Sequence, residues 1–137
     1  MKKIFFTAVA ASILFLSCSK TNNSGNNLIT GKWELRESAG GIAGTIKYAA
    51  GNGVIVQFDN GNRYQFISSS IVTDSGTYQL SKARNPGDWM LNRQYTYNGQ
   101  TQTATDSVRV TNNQLIFIAR WACCDMPTLS YEKLNKD

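Results

Sequence analysis

Hydrophobic and polar residues alternate along most of residues 29–137, in short segments separated by turn-forming residues. The first segment, 31–37, puts Trp33 and Leu35 on one face, because successive side chains of a strand point to opposite faces. Other segments repeat this alternation or are rich in β-branched and aromatic residues. The eight predicted strands are 31–37, 54–58, 63–67, 76–80, 89–97, 103–110, 114–121 and 128–134, with room for a short extra strand at 45–49.

The connections between these segments are short, which favours an antiparallel meander. Asn60-Gly61 and Asn98-Gly99 each lie between two apolar segments, and such a dipeptide is a strong hairpin signal. Parallel pairing would need long crossovers, and no convincing amphipathic helix interrupts the pattern. A meander of this size removes its exposed edges by closing. We therefore predict an all-β fold, an eight-stranded antiparallel up-and-down barrel, with room for packed side chains or one small ligand.

Several motifs resemble those of a known family. Gly31-Lys32-Trp33 is similar to the Gly-x-Trp signature of lipocalin and calycin barrels, in which the tryptophan closes one end beneath an arginine from a late strand. The chain also resembles small lipocalin-like lipoproteins of Gram-negative envelopes, through the phrases Asn62-Arg63-Tyr64, Asp74 to Tyr78, Cys123-Cys124-Asp125 and Tyr131 to Leu134. The resemblance implies a lipocalin-like barrel with Trp33 at its base and Arg120 as the partner of that tryptophan. Most such proteins have no established activity.

The first eighteen residues resemble the signal sequence of a bacterial lipoprotein. Two lysines precede an uncharged run at 4–16, which is shorter than the roughly 20 residues that span a bilayer. The residues Phe15-Leu16-Ser17-Cys18 are similar to a lipobox, in which the cysteine is acylated and becomes the first mature residue. We predict a signal peptide at 1–17 and a lipid on Cys18, with ordinary secretion as the alternative.

The residues after Cys18 predict a flexible tether and a cellular location. Residues 19–27 are polar and bury too little apolar area to offset their ordering entropy. We therefore predict a flexible tether at 18–28 and a barrel domain at 29–137. Ser19 follows the cysteine, and by the same resemblance this predicts the outer membrane of a Gram-negative bacterium. In some Gram-negative bacteria, lipoproteins that are exported to the cell surface carry acidic residues just after the cysteine. No acidic residue occurs here before Glu34, so the resemblance implies the periplasmic side.

The amino-acid composition excludes several kinds of catalytic and metal-binding site. The chain contains no histidine, which removes Ser-His and Cys-His nucleophile pairs and His-ligated zinc. Its acidic residues are spread singly, and Asp59 and Asp74 lie beside turn residues that we expect them to organise. Loss of Lys2 and Lys3 with the signal lowers the formal charge from +5 to +3, without leaving a basic run. We expect no enzyme, no metal, no cofactor and no nucleic-acid partner.

One face of the fifth predicted strand is a candidate ligand-binding wall. Its members are Trp89, Leu91, Arg93, Tyr95 and Tyr97. Facing inward, they would line a pocket for an apolar ligand with an acidic head, above Trp33 as the floor. Facing outward, they would form a surface ladder of cross-strand pairs. Alternation alone does not choose between these two arrangements.

Cys123 and Cys124 are the thiols left after acylation of Cys18. The oxidising envelope permits a disulfide, but the α-carbons of adjacent residues are closer together than those of ordinary bridged cysteines. A strained vicinal disulfide, two thiols in a tight turn, and a disulfide to another chain all remain open. Two thiolates and Asp125 leave a zinc site short of ligands.

The pattern supports two functions of different class. The first is a membrane-anchored barrel that binds a small hydrophobic or amphipathic molecule. The second is a non-enzymatic structural or protein-interaction lipoprotein with a filled barrel, whose unknown protein partner would contact the glycine-rich loop at 39–53. A third, an enzyme using an unrecognised pair of carboxylates, is the least favoured.

Overall fold

In the part of the chain that the structure describes, nine antiparallel strands follow one short 3₁₀ turn. A computed structural model describes residues 25–41, 43–119 and 126–135. The 3₁₀ turn occupies Asn26–Leu28. The strands are β1 (Gly31–Ala39), β2 (Thr45–Lys47), β3 (Val54–Phe58), β4 (Arg63–Ser68), β5 (Ile71–Lys82), β6 (Asp88–Tyr97), β7 (Gln100–Val110), β8 (Gln114–Ile118) and β9 (Thr128–Leu134).

Pairing of the first and last strands closes the sheet. From β3 to β9, each strand pairs with the next strand of the chain, and β1 pairs with both β3 and β9. The β1–β9 ladder runs from Lys32 opposite Leu134 to Ala39 opposite Thr128. The short β2 pairs with Glu37–Ala39 of β1, on the edge that β3 occupies at Gly31–Glu34. The predicted eight-stranded antiparallel up-and-down barrel is therefore confirmed.

The side chains that the alternation predicted to point inward fill one end of the barrel, here called the lower end. Trp33 is fully buried there, and its Nε1 donates a hydrogen bond of 2.7 Å to the Ile29 carbonyl. The Lys133 ammonium lies 5.1 Å from the centre of the Trp33 ring, within range of a cation–π attraction. Lys133 is thus a cationic neighbour of Trp33 in the described structure; Arg120, the expected partner of Trp33, lies outside the described residues.

The N-terminal 3₁₀ turn closes the lower end. Asn26 is buried, and its Oδ1 accepts a hydrogen bond of 2.7 Å from the Leu80 amide. Its Nδ2 donates a bond of 2.7 Å to Oδ1 of Asn62. Residues 25–28, the last part of the predicted tether, therefore pack against the barrel, because the short amide side chain reaches a backbone donor. Residues 18–24 lie outside the described residues.

Candidate functional site

A cavity of about 290 Å³ opens at the upper end, opposite the 3₁₀ turn. The β7–β8 ladder stops at Ser107 opposite Ile118, although β7 continues upward past Asp106. Thr105 and Asp106, above the end of that ladder, line the cavity. The residues around the cavity are Phe66, Arg93, Thr105, Asp106, Ser107, Phe117, Ile118, Ala119, Met126, Pro127, Leu129 and Tyr131.

Aromatic rings form the apolar wall of the cavity. Phe117 lies between Phe66 and Tyr131, with ring centres 6.2 and 5.6 Å away. These separations are typical of the edge-to-face and tilted contacts that aromatic pairs prefer. The three rings come from β4, β8 and β9, and each occupies an inward position of its strand. Closure of the barrel therefore brings together residues that are far apart in the sequence.

Arg93 on β6 is the cation of this site, and two aspartates hold it. Its Nε donates to Oδ2 of Asp106 at 2.8 Å, and its Nη1 donates to Oδ2 of Asp74 at 3.1 Å. The guanidinium carbon lies 5.3 Å from the ring centre of Tyr64 and 5.1 Å from that of Phe66. Burial opposes the charge of Arg93, but Asp106 and Tyr64 outweigh it and raise the pKa above its usual value. The positive charge of Arg93 is thus balanced by neighbouring carboxylates.

Two tyrosine hydroxyls border this charged group. Tyr64 donates a hydrogen bond of 3.1 Å to Oδ2 of Asp74. Burial, together with that bond and the charge of Asp74, raises the pKa of Tyr64 to about 12. Burial is also the main cause that raises the pKa of Tyr131 to about 12, although Arg93 acts in the opposite direction. Both phenols are therefore neutral hydrogen-bonding groups at neutral pH.

Of the candidate ligand-binding residues, only Arg93 lines this cavity. Trp33 and Leu91 are completely buried in the core of the barrel. Trp89 is half-buried and packs against that core. Near the upper end of β6, Tyr95 is half-buried and Tyr97 is 63% exposed. The aromatic lining comes instead from Phe66, Phe117 and Tyr131, whose inward positions follow from the same alternation on other strands.

The two predicted turn aspartates have different roles. Asp59 does organise its turn, because its Oδ1 accepts a hydrogen bond of 2.8 Å from the Arg63 amide. The expectation for Asp74 was wrong: this residue lies inside β5 and binds Arg93. Asp74-Ser75 suggested a turn before the predicted strand 76–80, but β5 continues through both residues, and Gly76 lies where two backbones meet. A Cβ there would stand 1.9 Å from the Gln94 carbonyl oxygen.

A second charged cluster lies outside the barrel, beneath the loop before β3. Glu34 is 3% exposed, and its carboxylate accepts hydrogen bonds from the Gly51 and Gly53 amides at 3.1 and 3.3 Å and from Arg36. Burial is the largest single influence and opposes ionisation, but these donors together lower the pKa of Glu34 below its usual value. Arg36 also binds Glu132 at 2.9 Å. This end of the glycine-rich loop is therefore fixed to β1.

Three predicted features fall outside the described residues. These are the lipidation of Cys18, the state of Cys123 and Cys124, and the position of Arg120. Within the described ranges, no group of three or more His, Cys, Asp or Glu side chains could hold a metal ion. No helix in the same ranges is both long enough and apolar enough to cross a membrane.

The fold and the cavity define a class: a closed antiparallel barrel with a plugged lower end and a half-open, aromatic-walled cavity at the upper end. Comparison with protein-family models, with curated proteins and with solved structures finds no match to this chain. The function must therefore be argued from the site itself.

Proposed function

We propose that this chain is a lipocalin-like lipoprotein of the cell envelope that binds a small amphipathic molecule in the cavity beside Arg93. The observation that carries the proposal is a half-open space of about 290 Å³ with an aromatic wall and charged groups on one side. Sites for small molecules commonly combine an apolar lining with a few polar groups that orient the ligand. A cavity of about 150 Å³ can hold benzene, so this one suits roughly twice as many non-hydrogen atoms.

Binding, rather than catalysis, fits the polar groups at the cavity. Asp74 and Asp106 both bind Arg93, so neither is an isolated acid or base next to a nucleophile. The chain also contains no histidine that could activate a hydroxyl or a thiol. The groups that remain can position a polar head, while the rings of Phe66 and Phe117 cover an apolar tail.

We further propose that Cys18 carries the lipid anchor and that the barrel faces the periplasm from the outer membrane. The lipobox-like residues that end at Cys18 and the following Ser19 support this location. An anchor of this kind would keep the cavity close to a source of amphipathic molecules. The membrane is thus the proposed first partner, and a small amphipathic molecule the second.

Octan-1-ol, a simple uncharged amphipathic molecule, is a suitable probe for the cavity. We expect calorimetry on the purified full-length protein to show saturable binding of octan-1-ol, with NMR shifts confined to residues around Phe117 and Tyr131. Ala119→Leu adds side-chain volume within the cavity lining and should abolish binding. The matched control, Ala50→Leu, makes the same change at an exposed loop position and should leave binding intact.

Two outcomes would count against the binding proposal. Equal binding of octan-1-ol to the wild type and to Ala119→Leu would show that the cavity is not the site. Absence of binding to the wild type would instead favour the alternative of an interaction protein whose barrel needs no ligand. The same samples, analysed by native mass spectrometry, would reveal any small molecule that co-purifies with the wild type and is lost from Ala119→Leu.

A further inference from the structure

The charges at the cavity do not balance. Arg93 contributes one positive charge, while Asp74 and Asp106 contribute two carboxylates, and both contact Arg93. The side chain of Arg93 is only 14% exposed, whereas those of Asp74 and Asp106 are 33% and 30% exposed. The two carboxylates are thus more accessible than the guanidinium, and Asp106 is the one that lines the cavity.

The carboxylates also retain unused acceptor capacity. Asp106, which lines the cavity, accepts the Arg93 bond at Oδ2, and its Oδ1 accepts no hydrogen bond from the described residues. Asp74 accepts both of its bonds, from Tyr64 and from Arg93, at Oδ2 as well. An ionised carboxylate can accept several hydrogen bonds and donates none. A ligand that donates hydrogen bonds is therefore the natural complement to this end of the cavity.

Together these observations assign a ligand class: we propose that the cavity takes a molecule with an apolar tail and a positively charged head, such as a primary ammonium. The head would bind Asp106 and lie near the electron-rich faces of the aromatic wall, an arrangement that attracts cations. The inference rests on the proposed function and makes its ligand specific. It also reverses the acidic head that the sequence suggested.

An acidic head is disfavoured for a stated physical reason. Arg93 has N–H groups beyond the two that bind Asp74 and Asp106, so a ligand carboxylate could reach it. Such a ligand would, however, be the third carboxylate around one guanidinium. It would place two uncompensated negative charges in a partly buried site, where their repulsion is stronger than in water. Displacing one aspartate instead would sacrifice an existing ion pair.

Three probes of equal non-hydrogen size test the charge of the head: octylamine, octan-1-ol and heptanoate. We expect calorimetry on the full-length protein at neutral pH to show octylamine binding about tenfold more tightly than octan-1-ol, with heptanoate the weakest. Octan-1-ol reports the cavity alone, so its binding tests the proposed function separately from the inference about charge.

Asp106→Asn removes the negative charge with almost no change in shape. We expect octylamine to bind this variant no more tightly than octan-1-ol does, so that the advantage of about tenfold measured in the wild type is lost. The control is Asp88→Asn, which removes a carboxylate from another arginine–aspartate pair between β6 and β7, Arg109–Asp88, outside the residues around the cavity.

Each result has a defined consequence. Binding of heptanoate or octan-1-ol at least as tight as that of octylamine overturns the cationic head and leaves the cavity function standing. An octylamine advantage that survives Asp106→Asn, or that is lost equally in Asp88→Asn, also overturns it. Failure of all three probes to bind overturns the proposed function and this inference together.

Discussion

Arg93 is the buried cation that pairs with two aspartates inside the barrel. A buried charge is tolerated only when it is paired, and this arginine links aspartates from the strands on either side of its own, β5 and β7. Its position illustrates what a sequence pattern can predict. Alternation on β6 assigns Arg93 to the same face as the buried Leu91, but only the strand register shows that Asp74 and Asp106 meet it.

Replacement of Arg93 by methionine should destabilise the fold, because two aspartates lose their common partner. We expect a loss of about 2 kcal/mol in urea unfolding, less than for a fully buried pair because both carboxylates are partly exposed. Adding Asp74→Asn and Asp106→Asn to Arg93→Met should recover part of that loss. Arg63→Met, at an arginine that is 75% exposed and whose partner Asp59 is 38% exposed, should cost well under about 1 kcal/mol. Equal losses in the two single arginine variants would contradict the argument.

The raised pKa of Tyr131 predicts a loss of stability at alkaline pH. Its pKa is raised to about 12 in the folded protein, whereas in the unfolded chain a tyrosine titrates near 10. The stabilisation is therefore complete below about pH 10 and is lost as the pH rises towards 12, by about 2–3 kcal/mol. Tyr131→Phe should weaken this pH dependence in urea unfolding, and Tyr97→Phe, at an exposed ring, should not. An unchanged slope in Tyr131→Phe would contradict the assignment.

At the scale of elements, the strands were predictable, whereas the 3₁₀ turn that closes the lower end was not. Period-two alternation and Asn-Gly turns depend on local chemistry, so seven of the eight predicted strands correspond to elements that the structure describes completely; the remaining one, 114–121, extends into residues outside the described ranges. The 3₁₀ turn at Asn26–Leu28 lies in a polar stretch that locally has the composition of a linker. Its order depends on Leu80 and Asn62, more than thirty residues away, which composition does not reveal.

Asn26 should therefore matter more than its neighbours. Asn26→Ala leaves the buried Leu80 amide without its acceptor, which we expect to lower the free energy of unfolding by about 1–3 kcal/mol. Asn27→Ala, at an exposed position of the same turn, should change it by less than about 0.5 kcal/mol. Chemical denaturation measures both. If the two variants unfold alike, the turn does not close the barrel in solution.

At the scale of the whole molecule, barrel closure creates both the core and the site. The lower end is filled by Trp33 and its neighbours, and the cavity lies at the upper end. The eight-stranded barrel followed from strand count and short connections. The cavity did not, because it depends on which inward side chains of distant strands fall at the same height. A local pattern does not contain that information.

The same scale includes the proposed link between the barrel and a membrane, which depends on acylation of Cys18. Labelled palmitate should enter the wild type, and intact-mass analysis should show a chain that begins at an acylated Cys18. Cys18→Ser should lose both the label and the removal of residues 1–17. The double variant Cys123→Ser, Cys124→Ser should keep both, since the chain has only three cysteines. An unacylated wild-type chain would mean ordinary secretion, and the proposed ligand would then have to reach the cavity from solution instead of from an adjacent bilayer.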